Sequence, residues 1–303
     1  MFLCEVDFGK ALSEADGRER QRDAIESFFS TLYKNGHMYD GYAVGESNGR
    51  LLAYVELPFH DSYLEKYYSK WGLRRLQEVE EEFGSKPKWK VLTKTQKSKP
   101  SSWKSADTLF LYTLPHFCSE QYSPIYMGNN GQQVPLYLLP MPDRDTSGDD
   151  MAWSEYLYQW ASSYRVHDSV WVGSGVLEMS AYKQLADPTS ELNTSGRDLC
   201  EEIEKHKKMP TYYYLYRYFG RKKGEADRPC PICGKPWRVQ RSDEKRPWWD
   251  FAFRCEPCRL VSNDASTDED ERHARIGEFR KVKKKAEEPT SHTTGQKSRP
   301  VSG

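Results

Sequence analysis

The sequence predicts an α+β protein that carries a metal-binding module toward its C-terminal end. Some stretches alternate apolar and polar residues with a period of two, and others place apolar residues on one helical face, so strands and helices are mixed along the chain. Four cysteines form two Cys-x-x-Cys pairs, a spacing that is typical of metal sites. Aromatic residues reach 14%, which favours a packed core although hydrophobic residues make up only 37% of the chain.

The first 93 residues follow the order strand, helix, strand, strand, helix, strand, which is the order of a ferredoxin-like unit. The pair Asn48-Gly49 predicts a type I′ hairpin turn, because both central positions of that turn need a positive φ. Ser62 and Glu65 match a capping box, so the second helix is expected to begin at about residue 62. The remaining expectations here are strands at 2–8 and 88–92 and helix ends at Gly36 and Gly84.

The stretch from 107 to 220 mixes the two patterns. A helix is expected to stop at Asp187, since proline disfavours helical geometry in the residue before it. Asp149 or Asp150 is expected to cap a helix at about 150–165, and a further helix is expected to begin near Ser195. The segments predicted as strands are 108–114, 123–127, 133–140 and the tyrosine-rich 211–220, with a turn at 129–133.

Composition divides the chain into five parts. Residues 94–106 are polar and contain serine and proline, which predicts a linker. The last part is polar and largely without aromatic residues, which predicts disorder. The expected parts are a ferredoxin-like unit at 1–93, a linker at 94–106, an α+β region at 107–220, a zinc ribbon at 221–262 and a disordered charged tail at 263–303.

The two Cys-x-x-Cys pairs predict one structural zinc ion. A tetrahedral zinc site takes four donors about 2.3 Å from the metal, and each pair supplies two sulfurs from one side. The pairs are 21 residues apart, which a hairpin of two strands accommodates. Gly234 follows the first pair, where the turn often needs a positive φ. The four predicted ligands are Cys230, Cys233, Cys255 and Cys258.

Three other readings of these cysteines compete with structural zinc. Two disulfides would need an oxidising compartment, which nothing in the sequence indicates. A redox Cys-x-x-Cys pair normally occurs singly at a helix N-terminus, and four thiolates bind iron as well as zinc. A zinc site made of four cysteines would have no open position for water, which disfavours catalysis at the metal.

Three segments around the cysteines resemble a known family. The block "PTYYYLYRYFG" at 210–220 precedes "RPCPICGKPW" at 228–237, and "FRCEPCRLVS" follows at 253–262. With the helical segment before them, they resemble a family of uncharacterised bacterial zinc-ribbon proteins, for which nucleic-acid binding is the suggested activity. The resemblance covers about 175–262 and implies zinc at the four cysteines.

Charge arrangement raises nucleic-acid binding and protein interaction as two hypotheses for function. Residues 221–262 carry 11 Lys or Arg against 6 Asp or Glu, interleaved with tryptophans, and 86–104 holds seven lysines and no acid. Such patterns can pair with phosphates and stack on bases, although a charged hairpin is commonly only solvated and its tryptophans can pack inward. The nucleic-acid candidates are Lys235, Trp237, Arg238, Arg241, Lys245, Arg246, Trp248 and Arg254.

An enzyme of unknown class is the third hypothesis. None of the seven histidines lies in a metal or nucleophile motif, and no catalytic residue is predicted. The tyrosines of 211–219 could stack bases from one strand face, but packing of both faces is the favoured expectation. We therefore expect a non-enzymatic binding protein whose partner is a nucleic acid or a protein.

Location follows from what the sequence lacks. The first residues show no basic start followed by an apolar run, so no secretory signal is expected, and no apolar run is long enough to span a membrane. Basic and acidic residues balance at 45 each, so net charge favours no polyanionic partner. We expect a cytoplasmic protein without a membrane partner, and the sequence leaves its oligomeric state open.

Overall fold

The computed structural model describes residues 1–93, 100–115, 118, 121–146, 149–240 and 251–280. These residues form an α+β protein. Its helices are α1 (Ala15–Lys34), α2 (Lys70–Phe83), α3 (Trp153–Gly173), α4 (Glu178–Ala186) and α5 (Glu191–Lys207). Its strands are β1 (Phe2–Lys10), β2 (Tyr42–Ser47), β3 (Arg50–Leu57), β4 (Lys88–Val91), β5 (Leu109–Leu111), β6 (Ile125–Met127), β7 (Arg144–Thr146), β8 (Asp149–Met151), β9 (Thr211–Tyr214), β10 (Phe253–Cys255) and β11 (Leu260–Ser262).

The N-terminal unit has the predicted ferredoxin-like topology. Its sheet has the order β2-β3-β1-β4 with every neighbouring pair antiparallel, and α1 and α2 pack together over one apolar core. Asn48 and Gly49 have φ values of 51° and 67°, which confirms the predicted type I′ turn between β2 and β3. Gly84 ends α2 in the left-handed conformation, also as predicted.

The predicted start of the second helix is wrong. Helix α2 begins at Lys70, and the hydroxyl of Ser69 accepts the amide of Gly72 at 3.2 Å. Ser62 is buried and donates its hydroxyl to the carbonyl oxygen of His37 at 2.7 Å. The Ser62–Glu65 spacing therefore matched a capping box by chance, because the serine serves a tertiary contact.

The second unit is built on the sheet order β10-β11-β9-β5-β6. Strand β9 lies at its centre and pairs in parallel with both β11 and β5. One sheet face packs under α3, α4 and α5, and the other carries a second apolar cluster of mainly aromatic residues. The predicted packing of both faces of the tyrosine strand is confirmed for residues 211–214, which are all buried. The predicted strand end at 220 is wrong, since β9 ends at Tyr214, and Tyr216 and Tyr218 are partly exposed.

Three local predictions in this unit are wrong for identifiable reasons. The segment at 133–140 forms a 3₁₀ turn at Leu136–Leu138, since Pro135 has no amide hydrogen for a strand ladder. Helix α3 begins at Trp153 without a side-chain cap, because the predicted caps Asp149 and Asp150 lie in β8. Helix α5 begins four residues before the predicted Ser195, where Ser190 caps it.

Residues 263–280, which the sequence predicts to begin a disordered tail, instead form an ordered segment. Thr267 pairs with Phe219 in a parallel bridge, and Ala274 is buried. Two of the acidic residues that suggested disorder have basic partners: Asp264 pairs with Arg238, and Asp270 lies 2.7 Å from His273. The rest of the predicted tail, 281–303, lies outside the described residues, as do residues 94–99 of the predicted linker.

Candidate metal centre

Two similar turns bring the four cysteines together. In the first, the amide of Gly234 donates to the carbonyl oxygen of Cys230 at 2.8 Å, and the amide of Cys230 donates to that of Lys235 at 2.8 Å. Gly234 has the predicted positive φ, 72°. In the second turn, Arg259 holds the equivalent position after the last cysteine, with a φ of 47°. Each Cys-x-x-Cys turn therefore ends in a left-handed residue, which reverses the chain and points two sulfurs the same way.

The geometry of the sulfurs fits a metal ion. The four Sγ atoms all lie within 4.8 Å of one another, and those of Cys233 and Cys255 are 3.6 Å apart. A tetrahedral ion about 2.3 Å from each sulfur needs sulfur–sulfur separations of about 3.8 Å. A disulfide needs about 2.05 Å, so these cysteines are thiols poised around one point.

Burial divides the four cysteines into two kinds. Cys230 and Cys255 are buried, whereas Cys233 and Cys258 are partly exposed. Burial raises the pKa of Cys255, and it raises the pKa of Cys258 to about 12. Burial opposes ionisation of Cys233 too, but hydrogen bonds from the Lys235 amide and from the other thiols outweigh it and lower its pKa to about 7.

The strands that carry the cysteines belong to the sheet of the second unit. Cys255 ends β10, and β11 begins two residues after Cys258 and pairs with β9. The apolar core of the helical side includes Cys230 and Phe253. The four-cysteine cluster therefore closes one edge of a larger sheet. Strand pairing and core packing both cross the expected boundary between residues 220 and 221.

Trp237, predicted on a nucleic-acid surface, is buried instead. Its indole Nε1 donates to the carbonyl oxygen of Arg228 at 2.9 Å, and its ring packs on Phe253 with centroids 5.1 Å apart. The Arg228 guanidinium lies over the Phe253 ring at 3.9 Å. Desolvation and the neighbouring Arg217 lower the pKa of Arg228 to about 9. This cluster is structural, since none of its rings faces solvent.

The other predicted nucleic-acid contacts are exposed, paired with acids or outside the described residues. Lys235 is exposed. Arg238 pairs with Asp264. Arg254 pairs with Glu256 at 2.6 Å. Arg241, Lys245, Arg246 and Trp248 lie outside the described residues.

Two ion pairs near the cysteine cluster were not predicted from the sequence. Arg259 forms a bidentate pair with Glu204 on α5, and its two shortest hydrogen bonds are 2.8 and 2.9 Å long. Arg217 is buried and pairs with Glu225 at 2.9 Å. The sequence did contain a signal for Arg259. It directly follows Cys258, as Gly234 directly follows Cys233, so the same left-handed turn position could have been predicted for both.

A groove with a volume of about 550 Å³ lies between α3 and α5. Its Arg144 pairs with Glu202 and lies over the Tyr156 ring at 4.2 Å. The Nδ1 atom of His167 is 2.8 Å from the carbonyl oxygen of Ser163. Arg144 and Glu202 therefore neutralise each other in this groove.

Fold and site together define an α+β protein with a four-cysteine cluster that can bind a metal ion. Three family models match the chain, each described as a domain of unknown function: DUF8589 at residues 1–93, DUF2310 at 103–216 and DUF8594 at 220–268. Each covers less than half of the chain. Within the described part of the chain, the helices are too short or too polar to traverse a bilayer.

Two curated relatives come from Haemophilus influenzae, and both are named "Uncharacterized protein". Each is 37% identical to this chain over 143 residues, or 46% of the chain. The match spans 50% of one relative and 64% of the other, so the chain spans between half and two thirds of the relatives it matches. No solved structure matches it.

Proposed function

We propose that this chain is a non-enzymatic binding protein in which one structural Zn²⁺ secures the edge of the second sheet, and that its partner is a protein. Cys230, Cys233, Cys255 and Cys258 would hold the ion. All four donors are thiols, the set that soft and borderline metals such as zinc prefer. When bound, the ion would cross-link the two cysteine turns and balance part of the negative charge of the thiolates. The full donor set leaves no open position for a reacting water.

The pairing of the arginines supports a protein partner. Between residues 221 and 262 the structure describes five arginines, and each forms an ion pair with a carboxylate: Arg221, Arg228, Arg238, Arg254 and Arg259. A nucleic-acid surface needs cations that are free to replace the counterions of phosphates. Arginines that already have carboxylate partners do not supply the free-energy gain that comes from counterion release.

The outer face of the ferredoxin-like sheet supports the same choice. Sheets of this topology that bind RNA stack bases on exposed aromatic side chains. Here β1 and β3 direct Glu5, Asp7 and Glu56 to that face, because the residues that alternate with them are buried. Its aromatic residue, Tyr54, donates its hydroxyl to Glu5 at 3.0 Å. Arg50 and Lys90 pair with Asp7 and Glu5 on the same face, at 2.9 and 3.8 Å, so these two cations already have carboxylate partners.

Nucleic-acid binding is the second candidate, and the composition of one stretch favours it. Residues 241–250 contain Arg241, Lys245, Arg246 and Trp248. The described chain enters and leaves this stretch side by side, since the amide of Val239 donates to the carbonyl oxygen of Ala252 at 3.0 Å. Basic residues interleaved with aromatic ones are typical of single-strand binding.

The first experiment is metal analysis of the full chain, purified under reducing conditions. We expect one zinc per chain by inductively coupled plasma mass spectrometry, and less than a tenth of that in Cys255→Ser. Cys118→Ser is the matched control, because Cys118 is a free, partly exposed cysteine outside the cluster. Full zinc content in Cys255→Ser would contradict the ligand assignment.

The second experiment separates the two partner classes. A salt titration of gel shifts with single-stranded and duplex probes should show no salt-sensitive binding at micromolar protein. Affinity capture from the native host should return the same partner proteins with and without nuclease treatment. Binding that weakens steeply with salt, together with nuclease-sensitive capture, would transfer the proposal to nucleic acid.

A further inference from the structure

The ordered segment after β11 ends directly on the first cysteine turn. A side chain placed on Gly234 would lie 2.7 Å from Cε1 and Cζ of Phe279, so the Phe279 ring rests on the glycine backbone. Gly234 follows Cys233, a partly exposed cysteine of the cluster. We call residues 264–279 the C-terminal strap.

The strap is fastened along its length to the chain between β9 and the first cysteine. The amide of Gly220 donates to the carbonyl oxygen of Thr267 at 2.7 Å. The guanidinium of the buried Arg217 donates to the carbonyl oxygens of Ala274 and Ile276 at 2.9 and 3.0 Å. Arg221 pairs with Glu278 at 2.6 Å, one residue before Phe279.

Close packing at Gly277 fixes the approach of the strap to the turn. Gly277 has a φ of 72°, and a side chain there would overlap the carbonyl oxygen of Ala186 at the end of α4. The chain can therefore pass between α4 and the cysteine turn only with a glycine at this point. Two close contacts therefore fix the position of the Phe279 ring: Gly277 against Ala186, and the ring itself against Gly234.

We infer that the strap retains the metal, with Phe279 as a positioning residue for the first cysteine turn. Release of the ion requires Cys230 and Cys233 to separate from the other pair, and the turn that carries them cannot open while the Phe279 ring covers Gly234. Metal binding and docking of the strap are then coupled, and the coupling is reciprocal. This inference rests on the proposed metal site.

Zinc transfer to an excess of the chelator 4-(2-pyridylazo)resorcinol tests the first half of the coupling. Phe279→Ala should start with the wild-type zinc content and release zinc about tenfold faster, within the usual range of such couplings. Phe83→Ala is the matched control, a partly buried phenylalanine in the core of the ferredoxin-like unit. It should release zinc at the wild-type rate.

Hydrogen exchange on the wild-type chain tests the reciprocal half and needs no variant. Removal of zinc should deprotect amides of the strap, including that of Ala274, which donates to Asp270 at 3.1 Å. If wild type holds zinc but Phe279→Ala releases it no faster and the strap stays protected without metal, the strap has no role in retention. If wild type holds no metal, the metal site itself fails and the strap inference with it.

Discussion

The imidazole of His37 and the phenol ring of Tyr137 stack with centroids 4.4 Å apart and planes 18° from parallel. This pair joins the ferredoxin-like unit to the second unit. Next to it, Gly36 ends the turn after α1 with a φ of 76°, and a side chain there would lie 2.9 Å from the carbonyl oxygen of Tyr122. Gly36, which the sequence predicts to end the first helix, therefore also allows the close contact between the two units.

Acid should weaken the protein through His37. Its Nδ1 atom lies 2.6 Å from the carbonyl oxygen of Ser62, and burial lowers its pKa to about 4 from an ordinary 6.5. The unfolded chain binds the proton more readily, so stability is lost as pH falls from about 6.5 toward about 4. His37→Asn keeps a donor but cannot titrate, so its loss of stability between pH 7 and 4.5 should be smaller by about 2 to 3 kcal/mol.

Urea unfolding at the two pH values measures this difference. His206→Asn, on the exposed side of α5, serves as the control and should lose as much stability as wild type. An equal acid loss in His37→Asn and wild type would show that His37 is not the titrating group.

Gly196→Ala should destabilise the second unit by about 1 to 3 kcal/mol through overpacking. A side chain at this position of α5 would overlap the ring of Tyr213 and lie 2.7 Å from Nε1 of Trp160. Gly173→Ala is the matched control, a glycine in α3 with nothing within 4 Å of the added carbon. Thermal unfolding should show the control within about 1 kcal/mol of wild type. Comparable losses in both variants would contradict the packing argument.

Arg259 should be more costly to replace by alanine than by glycine. Both changes remove the bidentate pair with Glu204, but only glycine accepts the left-handed φ of 47° without strain. We expect Arg259→Gly to be about 1 kcal/mol more stable than Arg259→Ala in urea unfolding with zinc present. The opposite order would show that the turn carries no backbone strain.

Metal removal should loosen the whole second sheet and spare the ferredoxin-like unit. Strand β11 pairs with β9, and β9 pairs with β5, so loss of the cysteine turns exposes one edge of a continuous sheet. Hydrogen exchange after chelation should therefore show faster exchange in β9 and β11, with β1 and β3 unchanged. Loss of protection confined to residues 228–262 would mean that the ribbon unfolds independently.

The sequence correctly predicted those features that depend on local chemistry. The Asn48-Gly49 turn, the Gly84 stop and the four cysteines each depend on a requirement that few residue types meet, such as positive φ or a thiolate donor. Predictions from the sequence were wrong where a contact with a residue distant in the chain determines the role of a side chain. Ser62 matched a cap but bonds His37, and Trp237 matched a binding surface but donates to the Arg228 carbonyl.

The cluster of four cysteines was predictable, but its place in the molecule was not. Cysteine spacing indicates which sulfurs meet, whereas parallel pairing of β9 with β11 and β5 depends on chain segments far apart in sequence. The strap was missed because its acidic composition resembles disorder, and only the structure shows the arginines that hold it.

The central position of β9 bears on the order in which the chain can fold during synthesis. Residues of β1 to β4 all lie before residue 92, so the first sheet can close early. The second sheet must wait, because Tyr213 pairs with Leu111 on one side and with Leu260 on the other. Until the ribosome has released the last cysteine turn and β11, the core under helices α3 to α5 and one edge of β9 remain incompletely covered. Nascent chains stalled before residue 255 should therefore be the species that need chaperones.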